Sequence, residues 1–148
     1  MNAIKRSVWI VWIVRVVCCG ALSVSTMAGA CRPDLPAGPS GKVQTAESAK
    51  YALAYRTQPE TVVIGQHFVM EFAVCAKAGV AAPETVDVDA HMPEHRHGMN
   101  YKTRITGTGA GKYRAEGLMF HMPGRWEYIF DIRAAGGRER ITTGMVLQ

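Results

Sequence analysis

Beyond residue 50 the chain alternates between apolar and polar positions in short runs. Tyr51, Leu53 and Tyr55 stand two apart, as do Phe68, Met70, Phe72 and Val74 in HFVMEFAVCA. Val86, Val88, Ala90 and Met92 alternate with Asp87, Asp89 and His91. Tyr101, Thr103 and Ile105 follow, then KYRAEGLMFHM, then Trp126, Tyr128, Phe130 and Ile132, and finally Ile141, Thr143, Met145 and Leu147. A period of two over short runs is the pattern of strands with one buried face. Gly and Pro punctuate the gaps at Pro59, Gly65, Gly79, Pro83, Pro93, Gly107–Gly111, Pro123–Gly124 and Gly136–Gly137. No segment carries a helical stripe. The pattern predicts an all-β fold, an immunoglobulin-like antiparallel β-sandwich of about seven strands. In residues 113–122 the buried parity slips between Ala115 and Leu118, which predicts a β-bulge at Gly117.

The N-terminal part reads differently. MNAIKR supplies a basic start, residues 8–22 are largely apolar but interrupted by Arg15, and Ala28-Gly29-Ala30 forms an A-x-A pattern. This is the layout of an export signal over residues 1–30; the competing reading is an uncleaved membrane anchor. The apolar stretch is shorter than the roughly 20 residues a spanning helix needs, which favours cleavage. Cys31 comes next. It is either the acylated first residue of a bacterial lipoprotein or simply the first mature residue. Residues 31–48, rich in Pro and Gly and without periodicity, read as a flexible linker, and the domain is expected over 49–148. The expected location is the bacterial periplasm or the outer face of the membrane, with a tether through Cys31 or residues 8–22.

Removing residues 1–30 changes the charge. The whole chain has 17 basic and 12 acidic side chains and a formal charge of +5. Lys5, Arg6 and Arg15 account for three of the basic ones, which leaves fourteen against twelve, a charge of +2. The basic balance therefore carries no indication of nucleic acid, and no stripe interleaves basic with aromatic residues. Two cysteines remain, Cys31 and Cys75. Export permits a bond between them, but a cysteine in a loose tether makes that bond the less favoured arrangement.

The candidate chemistry is concentrated in HMPEHRHGMNY, residues 91–101, where His91, His95 and His97 accompany Met92 and Met99. The phosphate-loop reading of TGTGAGK fails, because Thr106 stands where a glycine is needed and Tyr113 follows Lys112; a hairpin loop fits it. Asp89 and His91 have no serine or cysteine nucleophile placed with them, and no catalytic set emerges, so an enzyme is not expected. Imidazole and thioether together are copper ligands, and thioether favours the soft Cu(I) ion. If seven strands each reverse direction, the strand ending at residue 92 and the one ending at residue 122 finish at the same pole. His91, His95, His97, Met99 and His121 then form the candidate metal set, with copper as the cofactor. The bland alternative has Met92 and Met122 filling the core while the histidines hydrogen-bond the two turns together.

With these residues in view, the chain resembles the YtkA-like domain family, which is related to the FixH-like group. The resemblance rests on VDAHMPEHRHGMNY and GKYRAEGLMFHMPGRWEYIFDI and covers roughly residues 50–147. It implies a small exported or membrane-anchored β-sandwich and a link to copper handling or to assembly of haem-copper oxidases. The partner it implies is a membrane or periplasmic protein such as a haem-copper oxidase or a copper transporter. The motif falls on Met92, His95, His97, Gly98, Met99 and on His121, Met122, Pro123, Gly124, Trp126. Arg96 departs from it, since many relatives carry a small residue such as Gly there. The alternative function is a non-metal interaction module docking on a membrane or periplasmic partner.

Overall fold

The computed structural model describes residues 31–36 and 41–148; the segment read as an export signal or anchor lies outside them. Nine strands form two antiparallel sheets. The first has the order β1 (Gln44–Glu47), β2 (Tyr51–Gln58), β3 (His67–Ala76), β7 (Lys112–Met119) and β6 (Arg104–Gly109). The second has the order β5 (His97–Gly98), β4 (Thr85–Met92), β8 (Gly124–Ala134) and β9 (Gly137–Leu147). The architecture is the expected all-β sandwich. The seven expected strands correspond to β2, β3, β4, β6, β7, β8 and β9. The additional two are β5, whose two residues are too few to alternate, and β1, whose QTAE sequence is mostly polar.

The alternating positions fill the space between the sheets. Leu53, Met70, Phe72, Leu118, Phe120, Trp126, Phe130 and Ile132 have no accessible surface. Their aromatic rings bridge the layers: Phe72 of the first sheet meets Phe130 of the second at 5.7 Å between centroids, and Phe68 meets Tyr128 at 6.4 Å. Apolar burial on this scale is the main force joining two sheets that share no ladder hydrogen bond. The expected bulge is present. Phe68 pairs with Leu118 and Met70 with Ala115, so one residue of β3 faces two of β7, and Gly117 takes φ 85°. TGTGAGK is the β6–β7 hairpin, with Ala110 and Gly111 both at positive φ, the backbone of a type I′ turn.

The N-terminal stretch carries more contacts with the sheet than its composition suggests. The folded part starts by Gln44 rather than at residue 49, because β1 pairs with β2 from Gln44–Tyr55 to Glu47–Ala52. Residues 31–36 are a strap held on the outer face of the first sheet. Cys31 forms a disulfide with Cys75, with Cα atoms 5.8 Å apart. Lys112 Nζ pairs with Asp34 at 2.8 Å, and Arg56 Nη1 donates to the Pro36 carbonyl at 2.6 Å. The reason lies in β2 and β3. Their outward residues Ala52, Ala54 and Ala73 are small and buried, which lets a second length of backbone approach that face. Arg56 lies on the same outer face; its guanidinium also donates to Glu71, and the residue is only 8 % exposed.

On the outer face of the second sheet, Asp131 accepts paired hydrogen bonds from Arg138 and Arg140. The Arg140 hydrogen bond is the largest influence, opposed by burial and aided by Arg138, and together they hold the carboxyl down to about 2. A depressed carboxylate contributes stability that is complete above its ordinary value of 3.8 and is lost as pH falls toward 2.

Two outcomes follow from these contacts. Opening the Cys31–Cys75 bond, by reduction or by Cys31→Ser with Cys75→Ser, is expected to lower stability in urea unfolding by about 4 kcal/mol for a loop closed across 44 residues. Equal stability of the oxidised and reduced forms would show that the strap is not fastened. Asp131→Asn is expected to cost about 1 kcal/mol at neutral pH, discounted because both guanidinium groups are half-exposed. It is also expected to flatten the loss of stability between pH 4 and 2, read by thermal melts across that range.

Candidate functional site

The β4–β5 hairpin builds one side of the pole. Met92 ends β4 and points into the core; the chain turns through residues 93–96, with the His95 amide donating to the Met92 carbonyl at 3.3 Å. It re-enters pairing with His97 opposite Met92 and Gly98 opposite His91. Opposed residues share a face, so His97 is on the core side and His91 on the outside. Arg96 completes the turn at φ 55° and is exposed. That left-handed position is one glycine adopts without strain.

The β7–β8 turn builds the other side. Phe120 ends the β7 side within the core, His121 and Met122 follow half-buried, and Pro123–Gly124 turns the chain into β8. Trp126, fully buried, sends its Nε1–H back to the Met122 carbonyl at 3.1 Å. Gly124 sits at φ 122°, and a Cβ there would lie 2.8 Å from Met92 Cε. The two turns therefore interlock through one methionine.

The imidazoles converge on this seat. His97 and His121 have ring centroids 5.0 Å apart, and His95 lies 6.0 Å from His97. Both His97 and His121 stand edge-on to the Trp126 indole, at 5.8 and 5.5 Å. The other two candidates are elsewhere. His91 is on the outer face, with Nε2 3.2 Å from Glu127 Oε2. Met99 packs against the core, its amide bonded to the Ala90 carbonyl, and lines a separate hollow with Asp89 and Thr103. The fifth histidine of the chain, His67, packs on Tyr101 at 5.2 Å.

Two details bear on ligand chemistry. His97 Nδ1 lies 3.3 Å from the Gly98 carbonyl, which can only accept, so Nδ1 donates in that bond and Nε2 is the nitrogen left for another partner. His121 Nδ1 is buried and has no hydrogen-bond partner. Hydrogen bonding of turns by histidine accounts for the first contact but not for the second. Rings that share an ion about 2 Å from one nitrogen of each have centroids no more than about 6 Å apart, and both ring pairs satisfy this. Among the described residues, no group of three or more His, Cys, Asp or Glu side chains is arranged to hold a metal. What the two turns bring together is thus a pair of imidazoles, His97 and His121. Met92 faces His97 across the ladder, and Met122 adjoins His121.

Trp126 as the floor under both histidines was readable only as a core residue. Its role in the site depends on two turns 30 residues apart meeting, which no local pattern encodes.

The fold and the pole together define a small antiparallel sandwich with a histidine- and methionine-lined end. The YtkA-like family model matches residues 44–131, and the chain belongs to that family. No curated protein matches it. A solved structure of a DUF4426 family protein from Pseudomonas aeruginosa PAO1 is similar, with 13 % identity and a TM-score of 0.48, covering 71 % of this chain and 94 % of that one.

Gly124→Ala is expected to destabilise the domain by about 1–3 kcal/mol, through strained φ and the Met92 methyl. The cost is expected to fall when Met92 is already Ala. Urea unfolding of the four proteins of that cycle measures the coupling, and strict additivity would show that the two turns do not touch.

Proposed function

We propose that this protein is exported and binds one copper ion at the pole between the two turns, for carriage or delivery rather than for turnover. The observation that carries the reading is the His97–His121 pair, 5.0 Å between ring centroids, with His121 Nδ1 buried and without a hydrogen-bond partner. A set of two imidazoles and methionine sulfur suits Cu(I), because soft thioether selects the soft ion and zinc would recruit cysteine or carboxylate. His97 and His121 would hold the ion, Met92 or Met122 would supply the sulfur, and His95 at the rim would be positioned to assist entry or release. Bound there, copper would be available for transfer. Half-exposed ligands at the end of the sandwich suit handover to a membrane or periplasmic acceptor such as a haem-copper oxidase or a copper transporter.

Export is supported by the disulfide, since such bonds persist in oxidising compartments and are rare in the cytosol. It agrees with the signal-like layout of residues 1–30. Among the described residues no helix is long and apolar enough to cross a membrane. The reading does not require acylation of Cys31.

The test is anaerobic Cu(I) titration of the protein as processed by the cell, followed by Trp126 emission. Once residues 1–30 are removed, this is the sole tryptophan remaining of three. Saturable one-to-one quenching is expected. His97→Ala and His121→Ala are each expected to weaken binding about tenfold or more, while His91→Ala leaves it unchanged. Unaltered affinity in the His97→Ala, His121→Ala double variant would end the assignment and leave a copper-independent docking module as the function.

A further inference from the structure

The two sheets end in four edges, and these are not alike. β1 is only four residues long. β6 is broken by the register shift between Gly107 and Gly109. On the β5 side of the second sheet the chain itself caps β4. The Val88 carbonyl accepts from the Thr103 hydroxyl, the Ala90 carbonyl accepts from the Met99 amide, and the Ala90 amide donates to Asp89. β9 is the exception. It runs eleven residues at the other end of that sheet, in unbroken register with β8 from Ala134–Gly137 to Gly124–Leu147.

Parity decides which backbone groups of β9 are free. The Arg133 carbonyl accepts from the Glu84 amide on the β4 side. In an antiparallel ladder a residue turns its N–H and C=O to one side, and the next residue turns them to the other. Odd-numbered residues of β8 thus bond β4, and even-numbered ones bond β9. Through the pairs Ile132–Glu139 and Phe130–Ile141, the odd positions of β9 are the engaged ones. Arg138, Arg140, Thr142, Gly144 and Val146 turn their backbone groups to the open side, and no other backbone group among the described residues bonds them. Long regular edges normally carry a guard: a charge held over the edge, a proline or a bulge. β9 has neither proline nor bulge. Its two arginines are drawn the other way, over β8, where both guanidinium groups bond Asp131. From Ile141 to Leu147 the strand is uncharged. Val146, 69 % exposed, is the most exposed large hydrophobic side chain among the described residues.

We infer that β9 pairs antiparallel with β9 of a second copy about a two-fold axis at Thr142, joining the second sheets of two molecules into one. Charge and length select that register. With Thr142 opposite its own counterpart, Arg140 falls opposite Gly144 of the second copy and Arg138 opposite its Val146. No like charges face each other, and the aliphatic stem of Arg138 lies along the exposed valine. An axis at Arg140 would set that arginine against itself. An axis at Gly144 would carry the pairing past the end of β9 at Leu147. Isologous pairing closes on itself, so it gives a dimer and no fibre. The contact is a strand pair rather than a broad surface, so the association is weak, with a dissociation constant of about 0.1 mM. It uses no histidine of the pole and does not rest on the copper reading.

The test is sedimentation velocity of the processed, metal-free protein between about 10 μM and about 1 mM, paired with amide hydrogen exchange at both ends of that range. A monomer–dimer equilibrium is expected. The amides of Arg140, Thr142 and Gly144 are expected to exchange more slowly at the higher concentration. Those of Ile141 and Thr143, already bonded to β8, are expected not to change. Thr142→Pro deletes only an edge-facing N–H and is expected to leave a folded monomer at every concentration. Thr142→Lys keeps the backbone but sets two ammonium groups together at the axis, and is expected to weaken association at least about tenfold. A native protein that stays monomeric at about 1 mM would overturn the proposal. So would a dimer that Thr142→Lys leaves unaltered, or one whose formation does not slow exchange at Thr142, since either result places the contact elsewhere.

Discussion

The pole of this sandwich depends on where one indole is held. Trp126 is fully buried near the start of β8, and its N–H returns to the Met122 carbonyl within the turn that precedes it. That bond satisfies the indole donor inside the core and fixes the His121–Gly124 turn against the ring. Phe120 packs on the same ring at 4.6 Å. The β4–β5 hairpin then closes over the opposite side, bringing His97 edge-on to the indole and Met92 against Gly124. Without the indole the two turns would keep only the Met92–Gly124 contact, and both imidazoles would lose the ring they stand edge-on to.

Much of this was legible in the chain because its cause is local. The alternation in residues 68–74, 86–92 and 126–132 follows from strands with one face in a core, and β3, β4 and β8 bear that pattern. The slip at Gly117 was visible as a parity fault and is a bulge. The placement of His91 was also in the pattern, since it alternates outward with Asp87 and Asp89 while Met92 turns in. The place of Met99 was not in the pattern: the register of the two-residue strand β5 decides it, with Met92 opposite His97 and His91 opposite Gly98.

What the chain concealed is the second covering of the first sheet. Ala52, Ala54 and Ala73 occupy positions that should face water, and their small size marks a face that receives another segment. Prolines and glycines in residues 31–48 suggested slackness, yet the strap needs no periodicity, because three discrete attachments hold it: a disulfide, an ion pair and an arginine bonded to a carbonyl. Family membership follows from the match over residues 44–131. The copper reading follows from side chains at the pole, and sequence alone gave its ligand types but not their partition into inner and outer faces.

The account rests most directly on two remote turns sharing one seat, and nuclear Overhauser contacts between the ring protons of His97, His121 and Trp126 in the metal-free protein measure that. Cross-peaks joining all three rings, with none from His91 to Trp126, are the predicted result. Rings of His97 and His121 that show no mutual contact and no contact with the indole would contradict the pole, and the metal site with it.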